Sequence, residues 1–426
     1  MISKLKNNAL IKVLSLNSVS VGVSFVLGLL SSKIISVFLG PSGMALMGSF
    51  RNFTTMIKSI ATLGMNTSVV KLIVENKEDK EEISVIYSTF FGVFLGLAIV
   101  LGVSVTLFSS WISQLIFFNN SYATPIQFFG LMLPLFVINV FWTSVYNSFE
   151  KFKHIISIQI ISNLIIFATT AYLVWQNNIQ GGLLSVVIGE VIMFFVTYLF
   201  IRKTFSDFKF DYHQIQLNKY LSVMQRFSIM ALLSAVLVPL TLILIRDKIV
   251  SVHSIQEAGI WDGVNRLSSF YMLIFNTGIS MYYMPKLASL KTDSEFKLEL
   301  KSYFKTLVPL FLVMILAIFL LKSYIVQLAF TEEFNKINSI LVWQLLGDFF
   351  RIMTLAFGFQ ILVKSMLKRY FIIEIVFNSC FLILAYLWIP IRSSEGVVQA
   401  YFVANILSFL IILLMFRKSL KTNYSI

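Results

Sequence analysis

A chain of 426 residues in which 58% are apolar and only 13% charged, with mean hydropathy +0.84, has too few polar side chains to clothe a water-soluble surface. The net charge of +14 is spread in short clusters beside apolar runs, which argues against a nucleic-acid-binding domain and for membrane orientation. The single cysteine, Cys380, excludes an intrachain disulfide and a cysteine metal site. His154, His213 and His253 fall in three separate connectors, so the sequence implies no metal and no cofactor.

Taken in order, the chain opens with Lys4, Lys6 and Lys12 before an apolar run from 13 to 38. That charge layout is a signal peptide's, but the run is too long for a signal core and carries no small-residue cleavage site, so it reads as a retained first span. Further runs of bilayer-crossing length follow near 44–70, 83–109, 125–149, 155–175, 183–201, 222–245, 259–284, 304–323, 338–363, 371–389 and 397–416. A barrel would alternate apolar and polar residues in segments of about ten. These continuous runs instead predict an all-α membrane protein of about twelve transmembrane helices.

Alternate connectors share the basic residues unequally. Twenty-three Lys and Arg fall on the side of the N-terminus, against five on the other: Arg246, Lys248, Lys322, Lys336 and Arg392. By the positive-inside rule both termini are cytoplasmic. The largest connectors, 202–221 and 285–303, are too small to fold as a catalytic domain. The first divides the spans six and six, predicting two six-helix bundles, residues 1–207 and 208–426. At an offset of 215 residues Lys33 falls on Lys248, Gly48 on Gly263 and Arg51 on Arg266. Related halves of this kind, in one orientation, enclose a central cleft. Gly40-Pro41-Ser42-Gly43 makes a tight first connector, and Pro134, Pro239 and Pro309 are expected to kink their spans.

Charged side chains inside a membrane are costly and normally face a bundle interior or a wet cavity. The basic ones within the spans are Lys33, Arg51, Lys58, Arg226, Arg266 and Arg351; the acids are Glu190, Asp262, Asp348 and Glu374. Arg51 and Lys58 lie seven residues apart, on nearly one helix face with Thr55, and no acid shares their helix. An anionic ligand is their simplest partner, because Arg and Lys give charge-assisted bonds to phosphate; snorkelling to an interface is the alternative. Between Ile245 and Lys286, Arg246, Asp247 and Lys248 stand at the mouth of a connector, followed by Asp262 and Arg266 one turn apart. That last pair either neutralises itself or serves a site. In Trp343-Gln344-Leu345-Leu346-Gly347-Asp348, the final acid has Arg351 one turn on. The proton occupancy of a buried carboxylate depends on whether its cation has another partner, so an anion that draws Arg351 away would favour protonation of Asp348. Asp348, Asp262 and Glu190 are therefore the candidate ion-coupling residues. Lys33, Arg51, Lys58, Arg246, Arg266 and Arg351 are the candidate substrate-binding cations.

No phosphate loop, nucleophile elbow, zinc-protease helix or dinucleotide fingerprint occurs, so no ATP hydrolysis on this chain drives transport.

Leu39-Gly40-Pro41-Ser42-Gly43, Ile245-Arg246-Asp247, Glu257-Ala258-Gly259-Ile260-Trp261, Tyr282-Tyr283-Met284-Pro285-Lys286-Leu287 and the Trp343–Asp348 stretch together resemble the Wzx-type flippases of bacterial surface polysaccharides. These belong to the multidrug/oligosaccharidyl-lipid/polysaccharide exporter superfamily. The resemblance runs from the first span to the tenth; the last two spans match in hydropathy alone. It is strongest to O-antigen translocases and the enterobacterial common antigen lipid III flippase, and the Phe- and Lys-rich composition suits the former. The resemblance implies two six-helix bundles around a cationic cleft in the bacterial inner membrane. It also implies ion-coupled alternating access that carries an undecaprenyl-pyrophosphate-linked oligosaccharide from the cytoplasmic to the periplasmic leaflet. By it, Arg51, Lys58, Arg266 and Arg246 handle pyrophosphate or acidic sugars, Asp348 sits near the coupling path, and the partners are membrane lipids, a polysaccharide polymerase and a chain-length regulator.

Two other classes compete. A drug exporter of the same superfamily moves cations and would want an acidic or uncharged cleft. A membrane polymerase or ligase needs a large external loop, whereas the longest external connectors here, 110–124 and 322–337, are short.

Overall fold

The computed structural model describes residues 9–204, 210–290 and 292–421. Lys4, Lys6, Lys209, Lys291 and the expected domain boundary at 207/208 lie outside the described residues. The described chain is helical: α1 (Ala9–Ala61), α2 (Asn66–Glu75), α3 (Lys80–Leu107), α4 (Ser109–Phe117), α5 (Ala123–Ser148), α6 (Phe152–Thr204), α7 (Leu217–Val252), α8 (Ile255–Ser289), α9 (Asp293–Ala329), α10 (Ile337–Val363), α11 (Leu367–Met415) and α12 (Arg417–Lys421). Among the described residues, eight helices are long and apolar enough to cross a membrane. Three of these, α1, α6 and α11, are bent at Gly40, at Asn177–Asn178 and at Ser393, and each supplies two spans. The charged α8 completes the twelve expected spans.

The bends do not fall where the prolines suggested. Pro134, Pro239 and Pro309 lie inside α5, α7 and α9, which are not broken there. In a long membrane helix the bonds freed by proline are re-satisfied locally, so proline alone need not break it. Gly40 does break α1, because Pro41 behind it excludes the helical conformation for the residue it follows. The run 44–70 is likewise not one helix: α1 stops at Ala61 and the chain turns through Leu63 and Gly64, both at positive φ, before α2. Polar caps set several helix starts. Asp79 accepts from the Glu82 amide at 3.0 Å to begin α3, and Thr292 with Glu295 forms a reciprocal capping box on α9.

The internal repeat is written in the backbone. Asn178 (φ 49, ψ −128) and Ser393 (φ 52, ψ −134), 215 residues apart, adopt nearly one conformation. Glu150 (φ 56) and Ser365 (φ 50) stand at the same offset, as do the starts of α6 and α11. Gly181 and Gly396 form a third such pair. A Cβ on Gly181 would stand 1.9 Å from the Leu173 carbonyl oxygen, and one on Gly396 2.7 Å from that of Trp388, again 215 residues apart, so each bend needs glycine to pack back on its own helix.

Two compact units result, Met1–Leu39 with Leu46–Leu240 and Gly40–Ala45 with Thr241–Ile426. In the N-terminal unit Phe50, Phe90, Phe94, Phe129, Phe136 and Phe141 are buried and pack largely edge to face. The described part of the linker is strapped to α3: Ser84 donates to Gln214 at 2.6 Å, and the amides of Asp211 and Gln216 donate to Ser88 and Thr89 at 3.1 and 3.0 Å. Glu82 then receives Lys219 at 2.5 Å and the Tyr220 hydroxyl at 2.6 Å. In the C-terminal unit Trp261, Tyr283, Tyr303, Phe296 and Phe311 are fully buried.

Candidate functional site

In the N-terminal unit, the second limb of α1 carries Arg51 and Lys58 against the two limbs of α6. Arg51, Thr170, Ser185, Val186, Gly189 and Glu190 are among the residues that line a cavity of about 170 Å³. Lys58, expected to lack an acid, finds one: its Nζ pairs with Glu190 from α6, both side chains remaining about one fifth to one quarter exposed. The missing acid was therefore on a neighbouring helix, a proximity that the spacing along α1 does not reveal. The pair and Arg51 leave the cavity with a cation on one wall and a carboxylate on another. Hydroxyls of Thr170 and Ser185 complete its polar lining. Lys33, on the first limb of α1, is half-buried.

The C-terminal unit places its charges differently. α7 continues to Val252, so Arg246 is not at a connector mouth but inside the helix, only 4% exposed. It is bidentate to Asp262: Nε donates to Oδ2 at 2.7 Å and Nη2 donates to Oδ1. Its guanidinium also lies over the Trp261 ring at 5.5 Å, while Nη1 is buried without a hydrogen-bond partner. Asp262 is thus held by Arg246 rather than by Arg266, whose guanidinium lies over Phe270 at 6.0 Å. Of a buried pair held this way, removing one partner strands the other's charge.

Asp348 is fully buried on α10. Its Oδ2 accepts from Ser268 at 2.6 Å, Tyr271 at 2.5 Å and Gln344 at 3.3 Å, and its Oδ1 from Tyr401 at 2.8 Å. Four donors meet the acceptor capacity of an ionised carboxylate without any ion pair. Arg351, one turn on, does not touch it; it is exposed and donates from Nη1 to the Tyr401 hydroxyl at 3.4 Å. Ser268, Tyr271 and Tyr401 were not legible as site residues, because hydroxyls in apolar runs carry no charge signal. Their only trace is the spacing of Ser268 and Tyr271, which puts both on one face of α8.

Ahead of the α8 span, Glu257 gathers three connectors. Lys336 donates to both of its oxygens at 2.7 Å, and Ser393 and Ser394, at the bend of α11, donate at 2.8 and 2.6 Å. Burial alone would raise its pKa; the bonds from Lys336, Ser394 and Ser393 outweigh that and hold it at about 2.

The polysaccharide biosynthesis protein family matches residues 10–291. Two curated relatives, each a lipid III flippase, from Escherichia coli (strain K12) and Shigella flexneri, are 23% identical over 387 residues, covering 90% of this chain and 92% of each relative. Among solved structures, an inward-closed lipid II flippase MurJ superposes with TM-score 0.76 at 17% identity, covering 95% of this chain and 88% of that one. An inward-facing multidrug resistance MATE family transporter of the MOP superfamily superposes with TM-score 0.75 at 15% identity, covering 94% and 96%. The fold is that of these transporters.

Proposed function

The chain belongs to the polysaccharide biosynthesis protein family, and from that premise we propose that it is a flippase of lipid-linked oligosaccharides rather than an enzyme. Its cargo is an undecaprenyl-pyrophosphate-linked O-antigen-type unit, moved from the cytoplasmic to the periplasmic leaflet of a bacterial inner membrane by ion-coupled alternating access. Both termini are cytoplasmic on this reading, following the bias of the basic residues. The observation that carries it is the cluster of Arg51, Lys58 and Glu190 around a cavity in an otherwise apolar helical unit. Arg51 offers a two-pronged donor to a phosphate or an acidic sugar, and Lys58 can exchange Glu190 for the same anion. Lys33, Arg246, Arg266 and Arg351 are the other candidate contacts. Arg246, locked to Asp262, serves structure before substrate. Of Glu190, Asp262 and Asp348, only Asp348 has no ion pair among the described residues, which favours it as the coupling carboxylate.

A second reading, a lipid III flippase, is favoured by the relatives that match along nine tenths of the chain. A drug exporter is disfavoured by the surplus of intramembrane Arg and Lys. The polymerase and chain-length regulator of the same polymer are the expected protein partners. Deleting the gene tests both readings: loss of the O-antigen-type surface polymer, restored by the wild type, is expected. Loss of enterobacterial common antigen alone would select the lipid III reading, and an unaltered surface with altered drug tolerance would overturn both.

A further inference from the structure

Arg351 and Asp348 are one turn apart on α10, yet what joins them is a phenol from another helix. The Tyr401 hydroxyl receives Arg351 Nη1 at 3.4 Å and donates to Asp348 Oδ1 at 2.8 Å. The ring that carries it has little freedom. A Cβ on Gly347 would stand 2.6 and 2.7 Å from its Cδ1 and Cε1, so glycine at 347 is what lets the ring lie against α10. Phe381 and Phe377 hold it from the side in edge-to-face contacts, with centroids at 5.6 and 6.1 Å. The Gly347-Asp348 pair that the sequence singles out is therefore a seat and an acceptor for one tyrosine.

The two carboxylate oxygens are served unequally. Oδ2 takes three uncharged donors, from Ser268, Tyr271 and Gln344, while Oδ1 depends on Tyr401, itself bonded to a cation. The titratable groups that face Asp348 are Tyr271 from α8, Tyr401 from α11 and, through Tyr401, Arg351 of its own helix. Tyr303 from α9 reaches α10 only at the Ile352 carbonyl. At the 215-residue offset the N-terminal unit has Leu133 and Val186 in place of Asp348 and Tyr401, so this chain of contacts belongs to one half alone.

We propose that Tyr401 is a positioning residue that relays the occupancy of exposed Arg351 by an anionic phosphate group to the proton occupancy of Asp348. While Arg351 donates to it, the phenol is polarised and donates more strongly to the ionised carboxylate. When the anion takes Arg351, that support weakens, and a proton from the aqueous phase binds Oδ1. The proposal rests on the coupling role given to Asp348 above.

Undecaprenyl pyrophosphate serves as the probe. Its affinity for the full chain in lipid nanodiscs is measured from pH 5.5 to 8.5, for wild type, Asp348→Asn, Tyr401→Phe and Arg351→Gln. Ratios to the wild type cancel the probe's own ionisation. The expected result is that Asp348→Asn flattens the pH profile and that Tyr401→Phe, which keeps ring and seat, flattens it to the same extent with its highest affinity within about twofold of wild type. Arg351→Gln flattens it too, with weaker binding, and decides the matter should Tyr401→Phe not fold. If Tyr401→Phe keeps the wild-type profile while Asp348→Asn loses it, the relay is wrong and the role of Asp348 stands. If Asp348→Asn keeps the wild-type profile, the coupling role falls and the relay with it.

Discussion

The two halves share a backbone frame, but at one place in that frame the N-terminal unit is hollow and the C-terminal unit is filled. Val186 lines the cavity beside Arg51 and Glu190. The residue 215 positions on, Tyr401, is packed against Gly347 and Phe381 and bonded to Asp348. The charges follow the same division. The ion pair of the N-terminal unit, Lys58 with Glu190, is partly exposed beside the cavity, whereas Arg246 with Asp262 is buried at 5% and 9% side-chain exposure. What the repeat has kept is the punctuation that sterics demand, the positive-φ bends and the glycines beside them. What it has let go is the side-chain chemistry, and that is where one half became a binding cavity and the other a buried carboxylate centre.

The sharpest way to break this comparison is to make the halves alike. Val186→Tyr puts the C-terminal unit's ring where the cavity is, and transport is expected to fall by at least about tenfold while the protein keeps its place in the membrane. Unchanged transport would mean that the cavity is idle. Next in size are the ion pairs. Arg246→Ala strands the Asp262 charge and is expected to lower stability by about 3–5 kcal/mol, read as a fall in the thermal midpoint in detergent. Lys58→Met, at a pair that keeps access to the cavity, is expected to cost about 1 kcal/mol or less; equal losses would erase the distinction.

The smallest effect concerns Glu257, which ties Lys336 to the bend at Ser393. Because its folded pKa of about 2 lies below the ordinary value of 4.5, its contribution is fully present above pH 4.5 and is lost as pH falls towards 2. The gap in thermal midpoint between wild type and Glu257→Gln, worth about 1–2 kcal/mol near neutrality given the partial exposure of the pair, is expected to close over that window. A gap that is constant down to pH 3 would contradict the clasp.

Much of the fold was legible in the sequence because the bilayer imposes one requirement, long apolar helices, that hydropathy reads directly. Twelve spans and the repeat at Arg51 and Arg266 followed from it. The bends did not, since they are set by Asn178 and Ser393 against the carbonyls of Leu173 and Trp388 rather than by the prolines. The charged candidates were equally visible, because an ionised group in an apolar run stands out. Their pairing was hidden: which of Arg246 and Arg266 reaches Asp262, and that Glu190 meets Lys58, depends on contacts between helices far apart in the chain. Tyr401 was invisible for a different reason, being an ordinary aromatic in a run matched only by its hydropathy.

The central claim is that an anionic headgroup is received in the N-terminal unit at Arg51. It is tested most directly by reconstituting wild type and Arg51→Ala in vesicles and measuring the rate at which an undecaprenyl-pyrophosphate-linked oligosaccharide crosses from one leaflet to the other. Losing one charge-assisted contact is expected to slow crossing by about 10- to 100-fold with the thermal midpoint unchanged. Equal rates for the two proteins would contradict the account.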